Sequence, residues 1–115
     1  MSRQIRIQAG DVDMTATLNE STSADTLWEV LPVESAASRW GDEVYFEIPM
    51  HVDEEDAQAE VPGGTIAFWP QGDCFCIFFG QKPYSPVNVL GALDGDAERF
   101  AAVQDGQRVR LSCAG

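Results

Sequence analysis

Two cysteines in an apolar run are the first residues whose spacing suggests chemistry. Cys74 and Cys76 lie two positions apart, so on a β-strand their side chains point to the same face. With Cys113 or His51 they would offer soft ligands to a metal ion. However, the flanking residues are bulky and apolar, no Cys-x-x-Cys pair is present, and free cysteines are commonly buried. We therefore predict that Cys74 and Cys76 pack in the core, and we predict no metal site and no cofactor.

The single histidine lies beside the most acidic segment of the chain. Eight carboxylates and no lysine or arginine occur between Asp42 and Glu60. His51 and the run 53–56 would suit a hard cation, but the order of ligands and glycine found in EF-hand loops is missing. Runs of like charge usually mark solvated segments. We therefore predict a solvated acidic loop.

Arg39 is the third candidate for chemistry. Gly41-Asp42 is typical of a two-residue turn, here joining a strand Glu34–Arg39 to a strand Glu43–Ile48. The predicted register pairs Arg39 with Val44, Ala37 with Phe46 and Ser35 with Ile48, all on one face, with Tyr45 and Glu47 on the other. Arg39 would then lie at the margin of an apolar face. The alternative is a surface arginine whose aliphatic stem covers apolar area.

Composition narrows the classes of function. The 115 residues, 44% of them hydrophobic, suffice for one compact domain, which we place at 1–115. Nineteen acidic against seven basic residues give a net charge of -12. That charge repels nucleic acids and anionic membrane surfaces, so we expect neither as a partner. No pattern specifies an oligomeric state.

The same residues suggest a cellular setting. No apolar run approaches the ~20 residues that span a bilayer, the first ten residues do not resemble a signal peptide, and three cysteines fit reduced thiols. We therefore predict a cytoplasmic protein. The net charge of -12 further suggests a high-salt cytoplasm, where ions screen self-repulsion.

Hydrophobic patterning predicts a mainly β protein with one or two short helices. An apolar stripe preceded by the cap candidates Ser21-Thr-Ser predicts one helix ending before Pro32, and Asp96 could cap a second at Ala97–Val103. Short strands with frequent turns indicate an antiparallel barrel or sandwich. Pairing of the terminal strands would remove exposed edges, which favours the closed barrel. The predicted strands are Arg3–Ala9, Met14–Leu18, Glu34–Arg39, Glu43–Ile48, Thr65–Trp69, the buried central Cys74–Phe79, Val87–Leu93 and Gln107–Cys113.

Several motifs along the chain together carry a resemblance to a known family. They are Leu31-Pro32 at the end of the first helix, Glu34-Ser35 through Ser38 to Glu43, Tyr45 to Pro49, Gly64 through Phe68-Trp69-Pro70 with Gly72, Cys76 to Gly80, and Ser85 to Val89 with Gly91. With these motifs the chain resembles the small stand-alone cyclophilin-like proteins of bacteria and archaea over nearly its whole length. The resemblance implies a closed antiparallel β-barrel of the peptidyl-prolyl isomerase type.

The resemblance also implies a site. In active cyclophilins an arginine acts on the prolyl nitrogen beside an apolar saucer, which here assigns a catalytic role to Arg39 and ligand-binding roles to Arg39, Phe46 and Phe78. Their Phe-Met-x-Gln-Gly-Gly-Asp run is absent after Arg39, and His51 is not in the Val87–Leu90 region where the pocket histidine is expected. The departures favour recognition of a peptide segment or small ligand in a shallow pocket, with little or no isomerase activity. The alternatives are a slow or substrate-restricted prolyl isomerase and an acidic interaction subunit.

Overall fold

The computed structural model describes residues 3–80 and 85–114. Over these residues the chain forms nine strands, one α-helix and one 3₁₀ helix. The strands are β1 (Gln4–Ala9), β2 (Val12–Leu18), β3 (Val33–Ala36), β4 (Ser38–Trp40), β5 (Glu43–Glu47), β6 (Thr65–Trp69), β7 (Cys74–Phe78), β8 (Asn88–Leu93) and β9 (Arg108–Ala114); the helices are α1 (Thr22–Val30) and the 3₁₀ helix (Ala97–Ala102).

All nine strands belong to one antiparallel sheet in the order β3-β9-β1-β2-β8-β6-β7-β5-β4. The terminal strands β1 and β9 pair with each other over the whole length of β1, as predicted. The two ends of the order, β3 and β4, are consecutive in the chain and separated only by Ala37. The sheet therefore curls into a nearly closed barrel, which confirms the predicted fold class.

The strand predicted at Glu34–Arg39 divides between two partners. Arg39 pairs with Val44 across the predicted turn, as expected. Ser35, however, pairs with Val109 on β9, so its predicted pairing with Ile48 is wrong. Ala37 exchanges backbone hydrogen bonds with Gln107 and Gly106 at 2.8 and 2.7 Å, in place of a pairing with Phe46. The physical reason is closure, because a strand that joins both ends of a curled sheet must change partners along its length.

The helices begin where capping side chains were predicted. The Ser21 hydroxyl accepts a hydrogen bond from the Ala24 backbone N–H at 3.1 Å, which satisfies one free donor of α1. Asp96 caps the second helix in the same way, and that helix is of the 3₁₀ type. Neither helix in the described ranges is long and apolar enough to cross a membrane.

The barrel interior is filled with apolar side chains, here called the inner cluster. Phe46 and Phe75 stack within it with ring centroids 5.3 Å apart. Leu27 from α1 and Phe100 from the 3₁₀ helix are completely buried in the same cluster. Barrels of this size either fill with side chains or enclose one small ligand, and here buried apolar side chains fill the interior.

A second apolar group, here called the outer cluster, covers the other face of β7. It consists of Ala67, Cys74, Cys76, Phe78 and Val87, with Tyr45, Val61 and Trp69 packed against them. Every residue of β7 is buried, which confirms a central strand covered on both faces. The outer cluster separates a concave surface from the barrel interior, and that surface contains the candidate site.

Candidate functional site

A pocket of about 170 Å³ opens on the outer face of β5, β6 and β7. Among the described residues its lining consists of one carboxylate, one thiol, one hydroxyl and four apolar or aromatic side chains. These are Glu43, Cys76, Ser85, Val87, Trp40, Tyr45 and Trp69. A concave apolar surface with a few polar groups is the usual form of a small-molecule site.

Glu43 is the group in this pocket best suited to chemistry. Its register places it between Trp40 on β4 and Phe78 on β7, and only 7% of its surface is exposed. Burial raises the pKa of Glu43 from 4.5 to about 7, although a hydrogen bond with the Cys76 thiol partly opposes that rise. A carboxyl group in this state exchanges a proton near neutral pH, as acid–base groups and ligand-pairing groups do.

The thiols near Glu43 are unsuited to nucleophilic chemistry. Cys76 is buried at the pocket wall, and its pKa lies well above 9.0 because of burial and the nearby Glu43 carboxylate. Burial likewise raises the pKa of Cys74 to about 11. Both cysteines are free and buried, as predicted from the sequence. Because the thiolate is the reactive form, Cys76 contributes shape and a weak hydrogen bond.

Aromatic side chains form the walls of the pocket. Trp69 is held in place by hydrogen bonds from its indole N–H to the Ser85 hydroxyl and to Gln71 Oε1, the latter at 3.2 Å. Trp40 is 40% exposed and is the one large hydrophobic side chain in the described ranges with that much exposure. Tyr45 lies beside Glu43 on the same outer face of β5, two residues along the strand. These rings provide flat surfaces for stacking.

A second concavity lies around the only histidine. The His51 ring is 2.9 Å from the Asp73 carboxylate and 75% exposed, and that carboxylate raises the pKa of His51. Glu47 and Met50 lie along the same shallow groove. Such an open pair is a weak surface ion pair, and no buried polar side chain of the described residues lines the groove. Over the described ranges no three His, Cys, Asp or Glu residues form a group suited to a metal ion.

The acidic segment is irregular, as predicted, but one of its carboxylates is anchored. Glu55 accepts hydrogen bonds from the backbone N–H groups of Thr22 and Ser23 at 2.9 and 2.8 Å, and a third from the Ser23 hydroxyl. These donors lower the pKa of Glu55. Buried Asn88 accepts from the Glu55 backbone N–H and donates to the Asp53 carbonyl. Glu55 thus fastens the loop to the start of α1.

The three residues predicted as the site do not converge. Arg39 and Phe46 project to the inner face of the sheet, whereas Phe78 projects to the outer face, since it pairs with Glu43. Phe46 belongs to the inner cluster and Phe78 to the outer cluster, and both are almost completely buried. Their ligand-binding role stays a prediction. Phe78 is the member of the three that lies on the face bearing the pocket.

The guanidinium of Arg39 is engaged by the protein itself. It donates to the carbonyl oxygens of Ala101, Val103 and Gly41 at 3.0, 2.8 and 2.9 Å. It also lies 5.0 Å from the centroid of the Phe79 ring, a cation–π distance. These contacts tie β4 to the end of the 3₁₀ helix. The catalytic role predicted for Arg39 would require the guanidinium to leave these partners.

Sequence reasoning missed Glu43 because it is one of eight carboxylates between Asp42 and Glu60. A signal was present nonetheless. The run Glu43-Val-Tyr-Phe-Glu alternates, and its neighbour β7 was predicted to be covered on both faces. A carboxylate on the outer face, beside a strand that is buried on both faces, is expected to be buried as well.

Comparison with known proteins agrees with this architecture. A solution structure of the hypothetical protein AF2241 from Archaeoglobus fulgidus is similar, with a TM-score of 0.84, 29% identity, and 98% of this chain and 95% of that chain covered. McbB, solved in complex with tryptophan, has a TM-score of 0.76 at 22% identity, which shows the fold alone; the match covers 96% of this chain and 45% of McbB. No curated protein sequence matches. The profile of the Cyclophilin-like family matches residues 3–112, and the chain therefore belongs to the cyclophilin-like family.

Proposed function

We propose that this cyclophilin-like domain binds a small organic ligand in the outer-face pocket around Glu43. The observation that carries the proposal is a carboxylate that is only 7% exposed at a concave, aromatic-walled surface. A buried carboxylate without a cation destabilises a fold. A titratable group that burial perturbs and that lies in a concave surface is a candidate for a functional site, and a ligand could supply the missing partner.

The fold relatives support a small ligand by analogy only. McbB, which shares the fold, was solved with tryptophan bound. A shared fold does not establish a shared site, so the proposal rests on the pocket of this chain. Its volume of about 170 Å³ is below the roughly 300–1,000 Å³ usual for drug-sized ligands, which favours one ring system with a short substituent over a peptide segment.

Slow prolyl isomerisation is the rival function predicted from the sequence. It would place the Arg39 guanidinium against a prolyl nitrogen, yet that guanidinium donates to three carbonyl oxygens of the protein. We therefore propose binding without appreciable isomerisation. A protease-coupled assay on X-Pro peptides tests this point, and acceleration that is lost in Arg39→Ala would overturn it.

The three tryptophans provide a direct test of binding. Trp40 and Trp69 line the pocket, whereas Trp28 lies on α1 beneath the Arg3 guanidinium, 5.6 Å from it. Indole N–H signals are to be followed by NMR while a library of aromatic amines, acids and neutral compounds is added. We expect compounds that bind to shift the indole N–H signals of Trp40 and Trp69 and to leave the signal of Trp28 unchanged.

A pocket-filling variant completes the experiment. The Ser85 hydroxyl faces Trp69, so Ser85→Phe places a ring where the ligand would lie. We expect this variant to melt cooperatively and to lose the ligand-induced shifts. A library without a single compound that shifts Trp40 or Trp69, or shifts that persist unchanged in folded Ser85→Phe, would refute the proposed function.

A further inference from the structure

Glu43 is the one charged side chain among the described residues that line the pocket. The other described lining groups are a thiol, a hydroxyl, a phenol, two indoles and an isopropyl group. The ion pairs formed by arginines in the described ranges use other acids, namely Asp25, Asp13 and Glu34. Arg39, although close in sequence, points to the opposite face of the sheet and is occupied by carbonyls. The described protein thus supplies no positive charge to Glu43.

The surroundings of Glu43 favour a positive ligand group over a negative one. The chain carries a net charge of -12, so its field attracts cations and repels anions. Inside the pocket, low exposure to water strengthens any interaction of Glu43 with a charge placed beside it. A protonated amine would pair with Glu43 and would offset the unfavourable burial of its carboxylate.

The aromatic side chains that line the pocket favour a ligand with an aromatic ring. The aromatic side chains of Trp40, Tyr45 and Trp69 line the pocket together with Glu43. Indole faces attract cations and stack against flat rings. Because Trp69 is already fixed by Ser85 and Gln71, stacking against it loses little side-chain entropy.

We propose, resting on the proposed function, that the pocket selects aromatic amines, with the ammonium group paired to the Glu43 carboxylate and the ring against Trp40 and Trp69. The inference concerns binding alone and involves no bond making. The inference distinguishes amines from two other classes of ligand. Carboxylic acids would require a positive group in the pocket, and neutral apolar compounds would not require Glu43.

Three compounds of nearly equal shape test the selectivity. Phenethylamine carries a positive charge, 2-phenylethanol is neutral and phenylacetate is negative. Their dissociation constants at pH 8 are to be measured from the indole shifts of Trp40 and Trp69. We expect phenethylamine to bind at least tenfold more tightly than 2-phenylethanol, and phenylacetate to bind most weakly.

Two matched variants then separate the local carboxylate from the overall charge. Glu43→Gln and Glu47→Gln lie on the same strand and the same face and change the net charge equally, but Glu47 is exposed and outside this pocket. We expect Glu43→Gln to abolish the preference for phenethylamine over 2-phenylethanol and Glu47→Gln to keep it. Retention of the preference in Glu43→Gln overturns the inference.

The remaining outcomes are also decisive. Tightest binding by phenylacetate or 2-phenylethanol would leave the proposed pocket intact and would refute selection of amines. Absence of phenethylamine binding at millimolar concentration would likewise refute it. The proposed function itself fails only if the wider library and the Ser85→Phe variant give the contrary results described above.

Discussion

Replacement of Glu43 by glutamine is expected to stabilise the protein at alkaline pH. Glutamine has nearly the shape of the protonated acid and carries no charge. The pKa of Glu43 is raised from 4.5 to about 7 in the folded protein, and each pKa unit corresponds to about 1.4 kcal/mol. The ionised carboxylate therefore destabilises the folded state by about 3 kcal/mol relative to the unfolded chain at pH 8.

The direction of this pH dependence follows from the protons bound by the folded and the unfolded states. Between pH 4.5 and about 7, the folded protein holds a proton on Glu43 that the unfolded chain has lost. Stability contributed by this group is fully present below pH 4.5 and falls as the pH rises through that window. Because the pocket is open to water on one side, we expect Glu43→Gln to gain about 2–3 kcal/mol at pH 8 and little at pH 4.5.

Urea unfolding at a series of pH values measures the difference in free energy of unfolding between Glu43→Gln and the wild type. At roughly 3–5 °C per kcal/mol for a domain of this size, a gain of about 2–3 kcal/mol should raise the melting temperature at pH 8 by about 6–15 °C. Glu47→Gln, on the same strand and exposed, is the control and should stay within about 0.5 kcal/mol of the wild type. A gain in Glu43→Gln that is equal at both pH values, or a loss at pH 8, would refute the burial argument.

Three further predictions concern residues outside the pocket and the overall charge. Glu55→Gln should destabilise the protein by about 1 kcal/mol at pH 7 in urea unfolding. Because hydrogen bonds from Ser23 and Thr22 lower the pKa of Glu55, the difference in stability should decrease as the pH falls below 4.5. A difference that is unchanged at pH 3 would contradict this role of Glu55. Arg39→Lys should destabilise the protein by about 1–3 kcal/mol, because a lysine ammonium lacks the planar guanidinium geometry that donates to all three carbonyl oxygens. Phenethylamine binding should stay the same. Equal stability of variant and wild type in urea would show that the carbonyl contacts do not stabilise the fold. The net charge of -12 predicts a melting temperature that rises with KCl, and maximal stability at low salt would contradict it.

The sheet was largely predictable because its signals are local. Alternation along Gln4–Ala9 and Val12–Leu18, and the turn before Glu43, specify which residues pair and which share a face. The division of Val33–Trp40 at Ala37 was not predictable in this way. It depends on closure of the barrel, which brings β9 beside β3, and no local pattern records a partner 70 residues away.

The site was harder to predict because alternation does not say which face is inside. The sequence correctly grouped Arg39, Val44 and Phe46 on one face, and the resemblance to cyclophilins implied a ligand there. In the structure that face is the filled interior, where Phe46 stacks on Phe75. The opposite face, bearing Glu43, became concave only because β6 and β7 provide walls from distant parts of the chain.

The chemistry of the pocket depends on the turn that precedes it. Gly41 adopts φ 58°, a left-handed conformation that favours glycine, and the chain reverses within two residues to pair Trp40 with Glu43. A slip of one residue would place Val44 on the outer face and direct the Glu43 carboxylate into the inner cluster. There it would find apolar side chains on every side and no opening to a ligand. The turn that begins β5 therefore determines whether the Glu43 carboxylate lines the pocket or is buried unfavourably in the core.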